Sequence, residues 1–137
     1  MMKDPSRRDF VVAAGAGLMA AALPGAALGQ ARGPMYGLIG RIDTLPGQRD
    51  AVVAALLEGT TSMPGCLGYV VAEDPARPES IWVTETWDSR QSHAASLELP
   101  GVRQAIARAR PHIAGFGERI ETVPVGGLGL SRPGRGA

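Results

Sequence analysis

Met63-Pro64-Gly65-Cys66-Leu67-Gly68-Tyr69-Val70-Val71-Ala72-Glu73-Asp74, then Pro75-Ala76-Arg77-Pro78-Glu79, then Ser80-Ile81-Trp82-Val83-Thr84-Glu85-Thr86-Trp87: the reading of this stretch decides the fold. Two runs rich in β-branched and aromatic residues flank a segment punctuated by two prolines. That pattern predicts two antiparallel strands joined by a loop longer than a tight turn. Both tryptophans and the single cysteine of the chain lie here.

Upstream of the hairpin, residues 35–43 form a strand pattern, with Tyr36, Leu38 and Ile42 on one parity and Ile39 on the other. Thr44-Leu45-Pro46-Gly47 breaks it. Residues 48–61 then predict a helix, because Val52, Val53, Leu56, Leu57 and Thr60 recur at three-to-four spacing while Arg49, Asp50 and Glu58 mark the wet face. Downstream of the hairpin, Asp88 with Gln91 three residues on is a helix N-cap signature. A short helix runs to about Leu97, Pro100 interrupts it, and residues 102–110 resume helical character until Pro111. Residues 116–125 read as a last strand. The order β-α-β-β-α-β is the ferredoxin-like α+β arrangement: a four-stranded antiparallel sheet with helices on one face. The other face carries Leu, Val, Ile, Tyr or Trp from most strands, which predicts a second copy packed sheet to sheet, a homodimer.

The ends differ in character. Ser6-Arg7-Arg8-Asp9-Phe10 precedes a small-residue apolar run at residues 11–23, and residues 24–31 supply a break and small residues. A basic start, short apolar middle and small-residue end predict a secretory signal over residues 1–31, and the paired arginines resemble a twin-arginine (Tat) signal. Export to the periplasm or outside the cell follows. A transmembrane anchor needs ~20 apolar residues, so no stable membrane insertion is expected after cleavage. The domain is then residues 32–125. Residues 126–137, with Gly126, Gly127, Gly129, Gly134 and Gly136, read as a flexible tail.

Charge and cysteine content narrow the function. The chain of 137 residues is 45% apolar with net charge +1. Without residues 1–31, which hold Lys3, Arg7, Arg8, Asp4 and Asp9, the 14 basic and 13 acidic side chains fall to 11 and 11. No basic face suggests nucleic acid. One cysteine forms no internal disulfide, and two histidines without a ligand spacing give no metal signature.

These residues resemble the antibiotic-biosynthesis monooxygenase-like family, dimeric α+β barrels that include cofactor-free quinol and anthrone oxygenases. The matching pieces are Leu45-Pro46-Gly47, Met63-Pro64-Gly65-Cys66-Leu67-Gly68-Tyr69, Glu85-Thr86-Trp87-Asp88-Ser89, Ser92-His93-Ala94-Ala95-Ser96-Leu97 and Pro100, spread over residues 36–122. Many members place a histidine one helical turn further along, at the position of Ser96; here the histidine is His93. The resemblance implies a cofactor-independent monooxygenase that oxidises a quinol or polycyclic phenol to a quinone with dioxygen. It further implies a small aromatic substrate, no cofactor and no metal.

Within that frame His93 is the candidate base, since imidazole titrates near neutrality. A helix histidine bonded to a backbone carbonyl is the competing reading. Glu85 is a carboxylate between Val83 and Trp87 on one strand face; it either forms a structural ion pair with Arg41 or Arg119, or orients the base. Tyr69, Trp82, Trp87 and Tyr36 are candidates for stacking on a flat substrate, with core or dimer contact as the alternative. Cys66 reads as a small buried hydrophobe, and His112 as a surface residue at a helix end. A non-catalytic dimer holding an apolar or aromatic ligand would use the same pocket. Haem degradation is a third option, but no histidine stands where the haem-degrading members use one and the first strand has no asparagine.

Overall fold

The computed structural model describes residues 33–130. The expected signal at residues 1–31 and residues 131–137 of the expected tail lie outside the described residues. The elements run β1 (Tyr36–Thr44), α1 (Arg49–Gly59), β2 (Cys66–Glu73), β3 (Ser80–Trp87), α2 (Arg90–Ser96), α3 (Pro100–Ala109), a 3-10 turn (Arg110–His112) and β4 (Ile113–Thr122). They form one antiparallel sheet in the order β2-β3-β1-β4. This is the ferredoxin-like α+β fold, with the second helix broken at Leu99-Pro100 as its proline requires. Among the described residues no helix is long and apolar enough to cross a membrane.

Strand register sorts the side chains into two faces. Ile81, Val83, Glu85 and Trp87 of β3 face the helices, together with their partners Ile42, Gly40, Leu38 and Tyr36 on β1. Val52, Ala55 and Leu56 of α1 and Ala109 of α3 pack on Ile81 and Val83 to make the core. The helices approach closely where Gly59 meets Ala105 and the Gly101 carbonyl, a place with no room for a Cβ.

Three boundaries differ from expectation. The last strand begins at Ile113, earlier than predicted, because the chain becomes extended as soon as the turn after Pro111 closes. It ends at Thr122, whose partner Gly37 is near the start of β1, and Pro124 follows. The cap of α2 is Ser89 instead of Asp88: Ser89 is extended and its hydroxyl accepts from the Ser92 N–H. The Asp88 N–H is already committed to the Gly65 carbonyl at 2.9 Å.

Candidate functional site

One row of cross-strand partners runs over the helix face: Tyr69 on β2, Glu85 on β3, Leu38 on β1 and Glu121 on β4. Period-two alternation places them on one side, and register places them side by side. The next row toward the chain ends of the strands holds Trp87 beside Tyr36. Above these rows sits α2, carrying His93.

Glu85 is the centre of this group. Its Oε2 accepts a hydrogen bond from Trp87 Nε1 at 2.8 Å and lies 3.7 Å from His93 Nε2. The second distance suits an ion pair when the imidazole is protonated but is long for a hydrogen bond. Both side chains are largely buried, 13% exposed for Glu85 and 15% for His93. The imidazole is boxed by aromatics: the Tyr36 ring lies 5.1 Å away at 47° and the Trp87 ring 5.4 Å away, nearly edge-on. Trp87 itself is 1% exposed, so it anchors Glu85 from within the core.

A cleft of about 250 Å³ opens beside Glu85. Leu38, Gly40, Ile42 and Val83 form its apolar floor, Tyr69, Glu85 and Arg119 bring polar groups to it, and the paired Arg41 and Glu118 also line it. Burial, then the neighbouring Glu85 carboxylate, raise the Tyr69 phenol well above its ordinary value, so it remains a proton donor. Its hydroxyl makes no hydrogen bond among the described residues.

A second polar group closes the Tyr36 end. The Tyr36 hydroxyl donates to Glu121 Oε1 at 2.9 Å, and the Arg90 guanidinium pairs with Glu121 at 2.9 Å while lying 4.6 Å over the Tyr36 ring. Arg119 adds a contact to Glu121 at 3.2 Å. Hydrogen bonds from Arg90 and Tyr36 hold the Glu121 carboxyl down at about 2. Burial and Glu121 push the Tyr36 phenol up.

Of the residues singled out in the sequence, the fold brings Tyr36, Tyr69, Glu85, Trp87 and His93 to one face and takes Trp82 away. Trp82 has the opposite parity on β3; its indole donates to Asp74 at 3.0 Å and lies near the Arg41 guanidinium. The expected ion pair of Glu85 with Arg41 or Arg119 does not form. Arg41 pairs with Asp43 and Glu118, and Arg119 pairs with Glu121. His93 does not line the cleft; Glu85 stands between them. Ser96, where many relatives have histidine, is buried and its hydroxyl donates to the His93 carbonyl at 2.6 Å. Cys66 is half-buried, its thiol donates to the Gly68 carbonyl, and burial raises its pKa. His112 is half-buried, with Nδ1 2.8 Å from Gln48 Oε1, instead of lying free at the surface. Sequence reasoning did not single out Glu121 or Arg90, and it considered Arg119 only as a partner of Glu85; alternation within β4 is the signal that groups Glu121 with Arg119. Among the described residues no cluster of His, Cys, Asp and Glu could hold a metal ion.

Comparison with known proteins agrees with this fold. The family model for antibiotic biosynthesis monooxygenase matches residues 35–108. A solved structure of a candidate antibiotic biosynthesis monooxygenase from Chloroflexus aurantiacus J-10-fl is 62% identical, covers 71% of this chain and 99% of its own, and superposes with a TM-score of 0.69. A protein of the same description from Caulobacter crescentus CB15 shares the fold at 18% identity, covering 69% of this chain and 93% of its own with a TM-score of 0.63. One from Nitrosomonas europaea does so at 19% identity and a TM-score of 0.59, covering 70% and 92%. No curated protein matches. The family model takes in the hairpin, Glu85 and α2, and the 62% identical relative is matched over 99% of its own length, so the chain belongs to the antibiotic biosynthesis monooxygenase family.

Proposed function

We propose that this protein is a cofactor-independent monooxygenase that oxidises a quinol or polycyclic phenol to a quinone with dioxygen. The observation that carries the reading is a largely buried carboxylate, Glu85, at an apolar cleft with His93 directly behind it. A phenol bound there places its hydroxyl against Glu85. The phenolic proton passes to Glu85 and on to His93 behind it. Tyr69 donates to the substrate oxygen, and Arg119 at the cleft wall favours the anion.

The electron-rich anion then transfers one electron to dioxygen, and the two radicals combine to form a carbon–peroxide bond. The distal oxygen takes a proton. Loss of the proton from the same carbon breaks the O–O bond, leaving a quinone carbonyl and water. One oxygen atom thus enters the product and the other leaves as water, and the substrate supplies all the electrons. The protein contributes deprotonation, a dry site and alignment.

Oxygen uptake by the purified protein with a panel of hydroquinones and naphthohydroquinones tests this. Glu85→Gln and His93→Ala should each lower kcat by about a hundredfold or more. Uptake no faster than buffer with every quinol would sink the oxidation reading and leave a ligand-holding protein.

A further inference from the structure

Two hollows on the helix face share their dividing wall. The cleft at Glu85 adjoins a second cavity of about 550 Å³ between α3 and the start of β4, and Ile42 and Phe116 line both. Their chemistry differs. The first presents Tyr69, Glu85 and Arg119; the second is walled by Leu56, Ile106, Ala109 and Ile113, with Arg110 its one charged lining residue. Phe116 is 76% exposed although it pairs with Ile42, whose side chain packs on the core. A phenyl ring left in water between a polar and an apolar hollow stands where a ligand reaching from one to the other would touch it.

We infer that the ligand is an elongated phenol: a hydroxylated ring in the Glu85 cleft, continued by an apolar arm that passes Phe116 into the α3–β4 cavity. The identity of the ring rests on the oxidation proposed above; the arm rests on the second cavity. Each buried methylene adds a roughly constant increment of affinity, so binding should tighten with arm length until the cavity is full. Phe116 is then the residue an arm passes on its way into the second cavity.

Titration calorimetry of the full-length protein with naphthoquinones carrying alkyl chains from methyl to decyl tests the inference without turnover. The decyl compound should bind at least about tenfold tighter than the methyl compound. Ile106→Trp, whose indole would fill the second cavity, should erase that gain and leave methyl binding unchanged, while Ile106→Ala should keep it. Affinity independent of chain length, no binding by any member, or a gain that survives in folded Ile106→Trp would overturn the inference. The first two results need no variant. Oxygen uptake with the matching naphthoquinols separates the two ideas. Chain-dependent binding without uptake removes the oxidation and leaves the arm; uptake with chain-independent binding removes the arm and leaves the oxidation.

Discussion

Glu121 shows how much one residue can gather in this molecule. It accepts from Tyr36 and pairs with Arg90 and Arg119, so it ties β4 to β1 and to the start of α2 beside the site. Its carboxyl, held at about 2 in the folded protein, has an ordinary value of 4.5. A folded value below the unfolded one contributes stability above the unfolded pKa, and that contribution is lost as pH falls through the folded one. Asp43, held down by Ser80 and then Arg41, adds in the same direction. The melting temperature should therefore drop as pH is lowered from about 4.5 toward 2, and Glu121→Gln should shrink that drop. An equal drop in both proteins, followed by circular dichroism, would show that Glu121 is not a source of it. The effect is modest because the group is open to solvent. Glu85 was legible in the sequence as a carboxylate between two apolar neighbours. Its sharing a face with Trp87 was legible too, from strand alternation; whether it met an arginine or His93 was not, because the placement of α2 over β3 is not specified by sequence spacing.

At the scale of elements, α2 is a seven-residue helix, too short to stand alone. The Ser89 hydroxyl caps it, and the chain before β2 braces it from the side. Gly65 turns with φ +83, a conformation that strains other residues, and a Cβ there would strike the Ser92 side chain and the Asp88 carboxylate. Gly65→Ala should therefore cost at least about 2 kcal/mol, read by urea denaturation. Because the clash falls on the helix that carries His93, the surviving protein should also lose activity; unchanged stability would show that the turn can relax without strain. The Pro64-Gly65 pair that marked the family resemblance has this physical reason: a left-handed turn pressed against a helix start.

For the whole molecule, the helix-free face has a row of its own: Val70, Thr84, Ile39 and Ile120, one from each strand. Val70 is 57% and Ile120 51% exposed. We propose that this row faces its equal in a homodimer, the economical cover for such a surface. Sedimentation of the protein at micromolar concentration should report a dimer, and Val70→Asp or Ile120→Asp a monomer; a wild-type monomer would refute the dimer, and a dimer indifferent to both changes would refute this face. Export is the second proposal at this scale, motivated by Arg7-Arg8 ahead of the apolar run. Replacing both arginines by lysine should leave the protein inside the cell on fractionation, and unaltered export would exclude a twin-arginine route. The sequence by itself determined the element order, the broken second helix and the family, because periodicity, proline and glycine act locally and survive being read in one dimension. Only the tertiary structure decided which parity of β3 meets the helices, and with it that Trp82 leaves the site while Tyr36, Tyr69 and Trp87 stay. Two faces of a strand are equivalent until something packs on one of them. The same holds for Glu121, Arg119 and Phe116, which acquire their neighbours from the register of β1 and β4, elements separated by most of the domain.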